Sequence, residues 1–386
     1  MRTLPALLRP VAVGAVLLAA VPMLLAGCSS DSSDDTAGDS STTSASGSSD
    51  TAWLDDAKAI AEKAATVPTT INAAANGPVK PPASMDLFFI GCDQSIPGCV
   101  AQVQGVKEAA EVLGYDVEVC DAKSDTASFQ NCFSQAVNAK PDVIVNNARP
   151  ASDAAESYAD AHEADIPVIG QFTSEKPDPE TGNAAEVGYV CGLEGELLGN
   201  YIVAQSEGKA NVAVFADTVY RCNGQRAEGV EAAIKKCTTC EITVDRYSAA
   251  TAMTDLPPAL QAKIQSSPDL SWIVATPGFS GVMAADAIRQ AGKEGSISVG
   301  TFDGDAPTLA LVRAEDIVKA DVASGVYENG WTVVDVAMRL ANGQDVPDLI
   351  ENPTQLLMNV DSAPADGTFE GADGFRDQFK ELWGVQ

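Results

Sequence analysis

The chain has 386 residues, with 54 acidic against 24 basic side chains and a single histidine, for a formal net charge of −30. That excess of carboxylates argues against nucleic acid and against attraction to acidic lipid headgroups, since both need clustered Lys and Arg. The lone His162 lies beside Glu163 in an expected helix, where a surface role suits it better than catalysis, and the length leads to an expectation of two lobes rather than one.

Arg2 and Arg9 precede an apolar run from Val11 to Leu25 that is broken by Pro22 and ends at Leu24-Leu25-Ala26-Gly27-Cys28. The run is short for a spanning helix and suits a cleaved export leader. It resembles a bacterial lipoprotein signal. That resemblance implies removal of residues 1–27 and acylation of Cys28, each buried methylene contributing about 0.8 kcal/mol to anchoring, and hence a protein lipid-anchored at the extracytoplasmic face of the cell membrane. An ordinary secretory signal, with no special role for Cys28, is the alternative. Residues 28–50 follow as a Ser-, Thr- and Asp-rich tether, without a basic residue, that is too polar to bury a core. In residues 51–84, Trp53, Leu54, Ala57, Ile60, Ala61 and Ala64 have helical spacing, and Pro68, Pro78, Pro81 and Pro82 end the helix in a linker.

Beyond Met85, short apolar runs recur at Leu87–Gly91, Val117–Cys120, Val143–Val145, Val168–Gln171, Val212–Phe215, Ile242–Val244, Trp272–Ala275 and Ile297–Thr301. Amphipathic stretches lie between them, among them Val100–Leu113, Phe129–Ala139, Ser152–Ala164, Leu193–Gln205, Gln225–Lys236, Leu256–Gln265 and Val282–Ala291. Strand and helix in alternation predict βαβ units: an α/β chain of two doubly wound parallel sheets, with ligand crevices beyond the carboxyl ends of the strands. Gly192, Gly195 and Gly199 have helical spacing and suit close helix packing rather than a dinucleotide turn.

Eight cysteines remain after Cys28. An exported protein favours disulfides, and eight thiols permit 105 pairings. Pairing in chain order is the expectation: Cys92 with Cys99, Cys120 with Cys132, Cys191 with Cys222, and Cys237 with Cys240. A redox role for Cys237-Thr-Thr-Cys240 stays open. A zinc site there lacks a second Cys pair and a usable histidine, so no metal is expected, and no cofactor motif is present.

The pieces Gly105-Val-Lys-Glu-Ala-Ala-Glu-Val-Leu-Gly-Tyr115, Lys140-Pro-Asp-Val-Ile-Val-Asn146, Asp165-Ile-Pro-Val-Ile169, Gly199-Asn-Tyr-Ile202, Arg226-Ala-Glu-Gly229, Ser267-Pro-Asp-Leu270, Ala287-Ile-Arg-Gln-Ala-Gly292 and Val299-Gly-Thr-Phe-Asp-Gly304 occur in that order. In this order the chain resembles the ribose-type periplasmic sugar-binding proteins that serve ABC transporters. The resemblance implies a type I periplasmic-binding-protein-like fold. Its N-terminal lobe would comprise residues 85–189 plus 325–353, and its C-terminal lobe residues 190–324 plus 354–386. Hinge strands are expected near Gly188–Cys191, Ser324–Val326 and Pro353–Gln355. A monomer that closes on a small sugar-like or neutral polar ligand and delivers it to ABC transporter permease subunits is further implied, with a more apolar non-sugar solute as the alternative.

Asp303 matches the family aspartate that accepts hydrogen bonds from sugar hydroxyls, with capping of a helix near Pro307 as the other reading. Arg226 falls in the family's Arg-x-x-Gly helix, but Arg221, in the preceding loop, is the first choice for reaching a ligand, because its planar fork suits paired acceptors. Elsewhere the pattern departs. Gln171, Phe172 and Thr173 replace an Asp-Arg pair, Thr276-Pro-Gly-Phe279 replaces an Asn-Asp pair, Ser324 replaces a hinge glutamine, and the first loop lacks its aromatic pair. Phe172, Phe279, Tyr220 and Tyr327 are expected to line a more apolar pocket than a sugar site, with Asp93, Gln94 and Thr276 orienting the ligand. A sensor module that signals to a membrane kinase or chemoreceptor shares the same lobe closure. A hydrolase does not fit, because Gly278-Phe-Ser-Gly281 only half resembles a nucleophile elbow and no histidine serves it.

Overall fold

The computed structural model describes residues 51–386 except 348 and 352–355; the leader, Cys28 and the tether lie outside the described residues. The first lobe is built from β1 (Asp86–Gly91), α2 (Pro97–Leu113), β2 (Asp116–Asp121), α3 (Thr126–Ala139), β3 (Val143–Asn147), α4 (Ala155–Glu163), β4 (Val168–Gln171) and β5 (Ala185–Gly188), after the leading helix α1 (Ala52–Ala64). The second is built from α5 (Cys191–Gln205), β6 (Asn211–Asp217), α6 (Arg221–Lys236), β7 (Glu241–Tyr247), α7 (Ala252–Ser266), β8 (Trp272–Thr276), α8 (Gly278–Gln290), β9 (Ser298–Phe302), α9 (Ala306–Arg313) and β10 (Val318–Ala323). The chain then returns through α10 (Val326–Ala341), β11 (Leu349–Glu351), β12 (Leu356–Met358) and α11 (Phe375–Trp383).

The two six-stranded sheets have the orders β11-β5-β4-β3-β1-β2 and β12-β10-β9-β8-β6-β7. Their pairings are parallel except β10 with β12. Parallel strands need crossover helices, which cover both faces and explain why the central strands read as unbroken apolar runs. In the first lobe Leu87 and Phe89 join α2 and α10 on one face, and Phe88 and Ile90 join α3 and α4 on the other. The second lobe repeats the arrangement, with α7, α8 and α9 on one face and α5 and α6 on the other. These are the two doubly wound sheets that the strand and helix alternation predicted, in the type I two-lobed arrangement that the resemblance implied.

Four strands had no counterpart among the expected runs. β5 and β10 carry the buried acids Glu186 and Asp321, which break the apolar signal, and β11 and β12 are only 3 residues each. The chain crosses between lobes after β5 and after β10. Between β11 and β12 it changes sheet again, through residues outside the described set. A further crossing was not expected. Phe369 packs in the second lobe, but Ala372 and the whole of α11 pack in the first, correcting the assignment of residues up to 386 to the C-terminal lobe. The reason is aromatic: Trp383 stacks on Trp331 of α10 with centroids 5.2 Å apart, and Phe375 and Phe379 surround the same indole, each such pair contributing about 0.5–1.5 kcal/mol beyond its buried area.

The segment before β1 also touches both lobes. Trp53, Leu54, Ala57 and Ala61 of α1 pack in the second-lobe core. Ile71, Ala73 and Val79 join the first-lobe core, where Arg339 donates to the carbonyls of Asn76 and Gly77 and Gln378 accepts from the Ile71 amide. The four disulfides join Cys92–Cys99, Cys120–Cys132, Cys191–Cys222 and Cys237–Cys240, the pairing expected from chain order. No helix among the described residues is long and apolar enough to cross a membrane.

Candidate functional site

The strands of both sheets end at the boundary between the lobes, and the residues just beyond those ends enclose a cavity of about 60 Å³. Cys92 follows β1, Ala148 follows β3, Phe172 follows β4, Pro277 follows β8, Asp303 follows β9 and Ser324 follows β10. The first two turns of α2, α6 and α10 add Gly98, Cys99, Gln102, Cys222, Asn223, Arg226 and Val326, with Ile96 and Tyr220 preceding two of these helices. This is the crevice position that open parallel sheets offer. Three of its non-glycine residues, Ala148, Phe172 and Asp303, hold left-handed backbones with φ of 66°, 60° and 86°. Such conformations cost about 1–3 kcal/mol each and collect at functional sites.

The polar floor is an ion triad. Arg226 donates from Nε to Glu194 Oε2 at 2.7 Å, from Nη1 to Asp303 Oδ1 at 2.6 Å and to Asn223 Oδ1 at 3.2 Å, and from Nη2 to Ser324 Oγ at 3.4 Å. Its guanidinium lies 4.8 Å from the Phe302 ring centroid. Burial pulls the Arg226 pKa down, but Asp303 and Glu194 more than reverse this, so it stands above the ordinary arginine value. Glu194 is raised by burial, against the pull of Arg226. These two side chains meet because α5 and α6 cross at glycines: a Cβ on Gly195 would collide with the Arg226 carbonyl, and one on Gly229 with that of Gly192. The spacing read as helix packing therefore positions the site.

Asp303 is held from two sides, its Oδ2 accepting from the Gly278 amide at 2.8 Å. It thus caps α8, not the helix near Pro307. Burial, together with Asp303, pushes Asp305 up to about 8, and Asp321 is pushed well above its usual range for the same reason. The upper wall is apolar: Cys92, Cys99, Ala148, Phe172, Tyr189 and Tyr220 form one cluster drawn from both lobes, in which Phe172 stacks on Tyr189 at 5.0 Å.

The structure brings Asp303, Arg226 and Phe172 together in the cavity, with Tyr220. It does not bring Arg221, the first choice, which is 55% exposed and lies 3.8 Å from Glu175, because the opening residue of α6 projects away from α5. Thr173 is buried against Glu186, donating to its Oε2 at 2.6 Å. Thr276 is buried with its Oγ1 accepting from the Asp217 amide. Phe279 packs in the second-lobe core, and Tyr327 packs against the first-lobe core with Arg376 over its ring. Asp93 accepts from Ser95 and Ser124, and Gln94 donates its amide N–H to Asp121. None of these six lines the cavity. Gln102, Asn223, Pro277 and Ser324 do, and the signal that would have found them is their position at strand ends and in the first two helical turns. Ser280 is buried and bonded to Tyr247, so the half-formed elbow presents no free nucleophile.

Comparison with known families matches residues 87–345 to the model described as periplasmic binding protein domain. Comparison with curated proteins returns no match. Among solved structures, the fold is similar to GanP, a glucose-galactose binding protein from Geobacillus stearothermophilus, at 19% identity and a TM-score of 0.65, covering 73% of this chain and 99% of that one. It is also similar to an ABC transporter solute binding protein from Mycobacterium smegmatis with bound glycerol, at 21% identity and a TM-score of 0.66, covering 74% and 99%. A third similar chain, from the XylFII-LytSN complex, shares 21% identity with a TM-score of 0.61, covering 74% and 100%. At these identities the likeness is one of fold.

Proposed function

The chain belongs to the periplasmic binding protein domain family, and from that premise we propose that it is an extracytoplasmic solute-binding protein whose lobes close on a small molecule without altering it. The observation that carries this reading is the convergence of residues from both lobes and the hinge, Phe172, Tyr220, Arg226, Asp303 and Ser324, on one cavity that only the apposition of the lobes encloses. Hinged closure around a ligand is the motion this construction supports. The leader and Cys28 would hold the protein by acyl chains at the outer membrane face, and the closed lobes would be presented to the permease of an ABC importer. A thermal-shift screen of sugars, polyols, amines and small aromatic acids tests it: a true ligand at a hundredfold excess over its dissociation constant stabilises the fold by about 2.7 kcal/mol. Turnover of any screened compound, or no shift across the whole screen, would remove the reading.

A second reading is favoured by the similarity to a chain solved in the XylFII-LytSN complex: the closed state would be read by a membrane sensor partner instead of a permease. Uptake of labelled ligand by cells with and without the protein separates the two, since only the transport reading requires uptake to fall.

A further inference from the structure

We propose that the ligand of the interlobe cavity is a compact monocation, an ammonium compound whose charged head meets Asp303 and whose body lies against Phe172 and Tyr220. The inference rests on the solute-binding reading and adds the ligand's chemical class.

It begins with hydrogen-bond accounting. Glu194 Oε2 accepts from Arg226 Nε, and its Oε1 accepts from Ser324 Oγ at 2.8 Å. The Ser324 hydroxyl oxygen in turn faces Arg226 Nη2, so its own hydrogen is directed to Glu194. Asp303 Oδ1 accepts from Arg226 Nη1 and Oδ2 from the Gly278 amide. All four carboxylate oxygens therefore receive donors, as ionised carboxylates do, and a single guanidinium faces two negative charges. The triad carries one uncompensated negative charge.

No other basic side chain around the cavity supplies the missing positive charge. Among the described residues, Arg226 is the only Lys or Arg in its lining. Arg149 is committed to Asp153 and Thr126, and Arg221 faces Glu175 outside. Two of the positive helix ends are already answered: α6 by Asp217, which accepts from the amides of Val219 and Tyr220, and α8 by Asp303 itself. At α2, the carboxyl oxygens of Asp305 reach across from the other lobe to 3.7 and 3.8 Å from where a Cβ on Gly98 would stand.

Closure makes that imbalance matter. A volume of about 60 Å³ leaves room for only a handful of waters, too few to solvate a carboxylate as bulk water does. A buried charge without a partner is costly, whereas a bound cation supplies one. Aromatic rings at Phe172 and Tyr220 in the lining suit an ammonium group further. An anion would meet a guanidinium four of whose five donors already serve Glu194, Asp303, Asn223 and Ser324, and a neutral polyol would leave the charge unbalanced.

Calorimetric titration of the purified protein with choline against its uncharged isostere 3,3-dimethyl-1-butanol, and with ethanolamine against ethylene glycol, together with glycerol and glucose, tests the assignment. At least one cation should bind tenfold or more tightly than its isostere, and Asp303→Asn should erase that preference. The wild-type comparison stands even if the variant fails to fold. Equal binding of cation and isostere overturns the cation assignment. Binding of glycerol or glucose without either cation also overturns it, yet leaves solute capture intact. Failure of every probe overturns it too, and solute capture falls with it only if the wider screen above is also silent.

Discussion

Ser124 of the first lobe and Tyr220 of the second share a hydrogen bond of 2.7 Å across the lobe interface. Ser124 Oγ donates to Asp93 Oδ2 at 2.8 Å, so the Tyr220 hydroxyl is the donor toward Ser124. Burial holds that hydroxyl protonated by raising its pKa above the ordinary tyrosine value. The bond exists only when the lobes are together. Tyr220→Phe should therefore weaken ligand binding by roughly 2- to 12-fold, the equivalent of about 0.5–1.5 kcal/mol for one net hydrogen bond. Titration of the variant checks this; unchanged affinity would mean that the bond contributes nothing to closure.

Asp303 fixes both the Arg226 fork and the first amide of α8. Asp303→Ala should abolish the ligand-induced thermal shift. Loss of the cap alone costs about 1 kcal/mol, so the unliganded variant should remain folded, as circular dichroism would show. A full ligand shift in the variant would remove Asp303 from the site.

The apolar strand runs made both sheets legible in the sequence, because parallel strands covered on two faces leave no polar alternation. β5 and β10 escaped because Glu186 and Asp321 lie inside them. Asp303 was legible from its place after Val299–Phe302. The choice of Arg221 over Arg226 failed on helix phase: Arg226, five positions on, falls on the face turned toward α5, where the glycine crossing admits Glu194. Aromatic residues were the weakest signal. Phe172 and Tyr220 reached the cavity, whereas Phe279 and Tyr327 went to the cores, and sequence carries no mark separating a ring at a strand end from one a turn further along a helix.

Glu328 joins α10 to the last crossing between lobes: its Oε2 accepts from the Ala372 amide at 2.8 Å, while Oε1 is buried without a hydrogen-bond partner. Burial pushes its pKa up to about 7 from 4.5. Since the folded state then holds a proton that the unfolded state has released, stability is fully present below about pH 4.5 and is lost as pH rises through about 7. That rise sets an upper bound of roughly 3.5 kcal/mol on the effect, at about 1.4 kcal/mol per pH unit. Glu328→Gln should remove this slope from melting curves recorded between pH 4.5 and 8. An unchanged slope would assign it to other groups.

Cys191–Cys222 ties the first residue of α5 to the first turn of α6 over a separation of 31 residues. Loop-closure entropy for that length is worth about 4 kcal/mol on the chain-entropy model. Replacing both cysteines with alanine should lower the melting temperature markedly and loosen the crossing that presents Glu194 to Arg226, so ligand affinity should fall as well. Titration of the native protein with a thiol reagent should find none of the eight cysteines reactive; eight free thiols would contradict all four bridges.

The leading segment is a strap, because α1 packs on the second lobe while Ile71, Ala73 and Val79 pack on the first. Trp53 seats it: the indole lies where a Cβ on Gly208 would stand, and Lys58 adds an exposed ion pair with Glu207. Exposed pairs contribute about 0–1 kcal/mol, so the apolar contacts dominate the docking. Trp53→Ala should release α1 without unfolding either lobe, since α1 completes neither sheet. Limited proteolysis should then cut between Thr51 and Pro68 much faster than in the parent, while the main melting transition moves little. If the released strap had restrained the lobes, scattering of the unliganded variant would also show a larger radius of gyration. A variant whose cleavage rate matches the parent's would show that Trp53 does not hold the strap in place.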